Sequence, residues 1–150
     1  MNKDVLLSIR GLHFTDQDED AEPVEVIAPA EYYFRNGKHY ILYDELSEDH
    51  ADTTKVKVKI DEHLVEITRK GLSSTQMLFE KGKKHLTCYA TPFGSLMLSI
   101  ITNQIEFTKE ESQLSLKIDY LLEADYEPVA DCKIELRVTE KDASLFSLEN

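Results

Sequence analysis

Arg69, Glu45 and the tyrosines Tyr43, Tyr89 and Tyr120 are the residues of this 150-residue chain whose types and positions suit chemistry. A guanidinium beside a carboxylate, with phenol hydroxyls in reach, has three uses. It can close an internal ion pair, read the acid or polar head group of a small ligand, or exchange protons with a substrate. A lone charge inside a protein costs on the order of several kcal/mol. A buried arginine therefore needs a carboxylate or a ligand anion as its partner.

Other chemistry finds little support. Asp16-Gln17-Asp18-Glu19-Asp20 opens like a calcium loop, but the sixth position is Ala21 rather than glycine and the twelfth is Ile27 rather than glutamate. His13, His39, His50, His63 and His85 show no paired metal-ligand spacing. Nucleophile elbows and glycine-rich phosphate loops are absent. Lys55, Lys57 and Lys59 make a basic stripe that reads as the solvent face of one strand. No metal and no cofactor is expected.

The elements that position these groups are strands. Leu114, Leu116, Ile118, Tyr120 and Leu122 alternate with Ser115, Lys117, Asp119 and polar neighbours, and the same period recurs from Val5 to Val138. A sheet of that length with no long helix to cover it closes on itself. The expected fold is all-β, a single antiparallel closed barrel of about eight to ten strands.

Turn chemistry sets the register. Asn36-Gly37 tolerates the positive φ of a two-residue hairpin and would pair Phe34 with His39, Tyr32 with Ile41, Ala30 with Tyr43 and Ala28 with Glu45. Asp61-Glu62 as a second such loop would pair Val58 with Val65, Val56 with Ile67 and Thr54 with Arg69. Lys81-Gly82 marks a third hairpin and Thr91-Pro92-Phe93-Gly94 a fourth turn. A bulge at Gly82 puts Thr87 and Tyr89 inside, whereas a plain loop puts Cys88 there; the bulge is expected because it keeps Lys84 out. Residues 16–22, 46–52 and 124–129 read as polar loops. Tyr43, Glu45 and Arg69 then share the inner face at one end of the barrel, with Tyr120 on the inward parity of its own strand. Large inward residues such as Phe34, Tyr32, Met77, Phe79 and Tyr120 can also fill the interior.

Composition bounds the rest. The chain is 41% hydrophobic and 31% charged, and by length one domain over residues 1–150. A net charge of −12 sets its field against nucleic acid and anionic membranes. No apolar run of roughly eighteen residues and no apolar block after Met1 appear, so neither a membrane helix nor a secretory signal is expected. Cys88 and Cys132 read as core or half-buried thiols of a reduced, cytoplasmic protein.

Taken in order, Tyr40-Ile41-Leu42-Tyr43-Asp44-Glu45, Thr53-Thr54-Lys55-Val56, Arg69-Lys70-Gly71, Met77-Leu78-Phe79, Tyr89-Ala90-Thr91-Pro92-Phe93-Gly94 and Ser115-Leu116-Lys117-Ile118-Asp119-Tyr120 resemble the YwiB-like family of small uncharacterised bacterial proteins. The resemblance spans nearly the whole chain and departs from the pattern before Thr53, where Ala51-Asp52 replaces a glycine. It implies a calycin-type, lipocalin-like barrel and no established activity. The leading expectation is a non-enzymatic barrel that binds a small polar or monoanionic ligand through Tyr43, Glu45, Arg69, Tyr89 and Tyr120. The rivals are a small-acid enzyme using Glu, Arg and Tyr inside such a barrel, by analogy of fold, and a protein–protein adaptor with a filled core.

Overall fold

Period-two alternation produces ten antiparallel strands: β1 (Asp4–Arg10), β2 (Glu25–Arg35), β3 (Lys38–Leu46), β4 (Thr53–Ile60), β5 (Val65–Lys70), β6 (Thr75–Phe79), β7 (Lys84–Thr91), β8 (Gly94–Lys109), β9 (Gln113–Ala124) and β10 (Glu127–Glu140). The computed structural model describes residues 4–11, 25–46 and 52–141. The loop at 16–22 with its acidic run, His13, His50 and the tail after Lys141 lie outside the described residues.

The strands make one sheet in the order β6-β5-β4-β3-β2-β1-β10-β9-β8-β7. Two meanders are joined by β1 and β10, paired from Val5↔Glu140 to Arg10↔Glu135. The outer strands β6 and β7 then meet across a short seam, and the barrel is nearly closed. Ser74 and Ala90 form a single bridge there, with backbone hydrogen bonds of 2.8 and 2.9 Å. The Thr87 hydroxyl adds a hydrogen bond to the Gln76 carbonyl. This register carries the bulge expected at Gly82: Thr87 is buried, Tyr89 half-buried and Lys84 exposed.

Side chains fill the interior. Val5, Leu7 and Ile9 of β1 meet Leu114, Leu116 and Ile118 of β9 and Ile134, Leu136 and Val138 of β10 in one core. Phe79 and Tyr120 pack edge to face in it, ring centroids 5.0 Å apart. Cys132 is half-buried as expected, but Cys88 is exposed, because β7 turns its odd-numbered residues inward.

Turns account for the departures from the expected register. Asn36 and Gly37 both take positive φ, 54° and 75°, and Tyr32↔Ile41 and Phe34↔His39 pair as expected. The ladder then stops at Glu31↔Leu42, although both strands run on. In a two-residue hairpin Arg35 and Lys38 exchange both hydrogen bonds, so every second pair does too and Pro29 is the residue that should donate to Asp44. Proline has no N–H to give. Ala28 and Ala30 consequently have no partners in β3, where Glu45 and Tyr43 were expected, and keep only Leu7 and Val5 of β1 on their other edge.

The second hairpin turns over four residues instead of two, closed by Asp61 N–H donating to the Leu64 carbonyl at 2.8 Å. Val58 therefore pairs with Ile67 and Val56 with Arg69. A slip of two residues preserves which face each side chain takes, so Arg69 still points inward. The stretch 124–129 is a tight turn at Asp125-Tyr126 followed by a bulge between Pro128 and Ala130, not an open loop.

Candidate functional site

The end of the barrel at the 70–75 connection holds Arg69. Val56 of β4 pairs with Tyr43 on one side and Arg69 on the other, and Glu45 pairs with Thr54. This brings the Arg69 guanidinium to 3.3 Å from Glu45 Oε2, with side chains only 15% and 11% exposed. Tyr43 donates its hydroxyl to Glu45 Oε1 at 3.4 Å. Burial pushes that hydroxyl well above its ordinary range, and the Glu45 carboxylate adds to the rise while Arg69 opposes it.

The other two expected members sit differently. Tyr89 lies inward next to the Ser74↔Ala90 bridge, while Arg69 is the cross-strand partner of Thr75. Tyr120 packs on Phe79, whose partner Val65 is four residues along β5 from Arg69, about 13 Å. Its hydroxyl has no oxygen or nitrogen partner among the described residues, and its cross-strand neighbour Cys132 is the polar group beside it. Burial raises this phenol too, with Cys132 contributing.

The opposite end carries a cavity of about 730 Å³ that the sequence reading did not anticipate. Phe34, His39, Ile105 and Phe107 wall it, and Asp61, Glu62, Glu80 and Lys81 rim it. His39 contacts Phe34 and Phe107, with ring centroids 4.8 and 5.2 Å away and both rings tilted 46° to the imidazole. The Tyr32 hydroxyl lies 2.6 Å from His39 Nδ1. Burial, and then the Lys109 ammonium, hold the imidazole below its ordinary value of 6.5. On the rim, Glu80 takes His85 Nε2 and Lys83 Nζ, each at 3.2 Å.

The Asn36-Gly37 turn already placed His39 beside Phe34. Phe107 was out of reach because a bulge between Thr102 and Gln104 reverses the parity of β8. A second groove, about 570 Å³, lies where β2 leaves β3, and Pro29, Ala30, Glu31, Tyr43, Asp44 and Lys55 line part of it. Arg69 lines neither space. Among the described residues no cluster could hold a metal ion, and no helix is long and apolar enough to cross a membrane.

Comparison with known proteins follows the same architecture. A family model described as "Domain of unknown function (DUF1934)" matches residues 7–136, from within β1 to within β10. The chain belongs to the DUF1934 family. Among solved structures, the ywiB protein from Bacillus subtilis is similar to this DUF1934 chain with a TM-score of 0.74 and 22% identity, over 92% of this chain and 91% of that one. At that identity the likeness is one of fold, and it agrees with a lipocalin-like barrel. No curated protein matches this DUF1934 chain.

Proposed function

We propose that this chain is a non-enzymatic small-molecule-binding barrel whose ligand sits in the Phe34–His39–Phe107 mouth. The carrying observation is the cavity itself, mostly apolar, with His39 between aromatic side chains and His63 among the polar groups around it. A filled interior leaves the barrel's ends as the places for a ligand. Asp61, Glu62 and Glu80 line the space with Lys81, and Lys38 and Lys83 pair with Asp61 and Glu80, so the local charges nearly balance and favour an uncharged polar ligand. Glu45 takes both the Arg69 guanidinium and the Tyr43 hydroxyl, which supports an internal ion pair that holds β3 to β5, not a catalytic acid–base group. Cys88 and Cys132 are both free thiols, which supports a reducing, cytoplasmic setting.

Screening neutral aromatic fragments by thermal shift tests this reading, with Phe107→Ala and Arg69→Met as paired controls. Stabilisation that Phe107→Ala removes and Arg69→Met retains is the expected result. The reverse pattern moves the ligand to the Arg69 end. An adaptor role is the second reading, favoured by the tip of the β7–β8 hairpin, where Phe93 is fully exposed and Leu96 and Met97 are more than half exposed. If no fragment shifts the protein, that reading survives.

A further inference from the structure

We propose that the mouth recognises an uncharged aromatic ligand bearing a ketone- or amide-type oxygen, which accepts a hydrogen bond from Nε2–H of His39. The proposal rests on the ligand-binding reading above and adds the chemistry of recognition. Its basis is the direction of one hydrogen bond. Tyr32 is buried, and among the described residues His39 Nδ1 is the only partner its hydroxyl has, at 2.6 Å. Of the two neutral groups the phenol is the stronger donor and the imidazole nitrogen the stronger acceptor, which places the phenol proton toward Nδ1. Burial also raises the Tyr32 hydroxyl and lowers the His39 imidazole, so both groups are neutral at pH 7. The phenol donates, Nδ1 accepts, and the ring proton is on Nε2.

Geometry aims that proton. Nδ1 is committed to Tyr32, an inward residue of β2, so Nε2 is on the side of the ring away from it, and His39 lines the cavity. Phe34 and Phe107 lie against the ring, each tilted 46° to it, and the Tyr32 hydrogen bond fixes its Nδ1 edge. A donor fixed in an apolar wall selects ligands that carry an acceptor, because an apolar ligand leaves it unpaired. Asp61 and Glu80 pair with Lys38 and Lys83, so the charges around the mouth nearly cancel and call for no net charge on the acceptor. An uncharged carbonyl on an aromatic ring meets both demands.

Acetophenone and ethylbenzene, matched in shape and differing in the acceptor, are the probes. Long-range proton–nitrogen spectra of the imidazoles report the tautomer, and aromatic shifts of Phe34 and Phe107 report occupancy. The expected result is His39 protonated at Nε2 and acetophenone bound about two- to tenfold more tightly, the range of one hydrogen bond. His39→Phe keeps an aromatic ring in the wall and should abolish the preference while ethylbenzene still binds. Tyr32→Phe frees the tautomer and should shrink the preference, which decides the matter if His39→Phe misfolds. A proton on Nδ1, or equal affinities for the two probes, overturns acceptor recognition and leaves the cavity reading intact. If neither probe moves Phe34 or Phe107, the cavity reading falls and this inference with it.

Discussion

Replacing Arg69 with alanine leaves the Glu45 carboxylate nearly buried without its guanidinium. The expected loss is about 3 kcal/mol, the low end for a broken buried pair, because part of each side chain still meets water. Urea unfolding measures it; an unchanged midpoint would show that the pair is solvated and structurally idle. His39 makes a pH prediction of definite sign. Its folded-state value is lowered, so the unfolded chain takes up a proton near 6.5 that the folded barrel resists. Stability from this residue is therefore present above pH 6.5 and lost as pH falls below it. Melting temperatures between pH 8 and 5 should show the loss, and His39→Phe should flatten it over that window. Tyr43 and Tyr120 give the opposite limb. Both hydroxyls are raised, so their contribution is lost as pH rises past about 10, where the unfolded chain ionises first.

Strand ends and turns decide where each element stops. Pro29→Ala restores the N–H that Asp44 lacks, and the β2–β3 ladder should then extend past Glu31↔Leu42. Slowed hydrogen exchange at the new amide, with a gain of about 1 kcal/mol, is the expected outcome. Random-coil exchange at that amide would mean that something other than the missing donor opens the groove beside Tyr43. The reach of the sequence is visible in these same elements. Asn36-Gly37 set its hairpin unaided, since both residues adopt the positive φ the turn requires. Asp61-Glu62 misled by two residues because an acidic pair tolerates several turn lengths, and the Asp61–Leu64 hydrogen bond chose the longer one.

Closure is the property of the whole molecule. The β1–β10 pairing runs over six residue pairs, whereas β6 and β7 share one backbone bridge and the Thr87 side-chain bond. The seam should open first, so amides of β6 and β7 that face each other should exchange faster than those between β1 and β10. Thr87→Val removes the hydroxyl at nearly constant shape and should cost about 1 kcal/mol while further loosening the seam. Equal protection on both sides of the barrel would refute a seam-first opening.

Alternation, turn residues and charge determined the all-β barrel and the inward direction of Tyr43, Arg69, Thr87, Tyr89 and Tyr120, because a period of two is local and survives a two-residue slip in register. Tertiary structure decided which inward residues meet. Tyr120 joined Phe79 instead of Arg69 because neighbours across a barrel depend on the cumulative register of every strand between them. The cavity at His39 arose in the same way. Its far wall, Phe107, faces in only because one extra residue bulges out of β8, and that extra residue shows only once the β8–β9 pairing is in place.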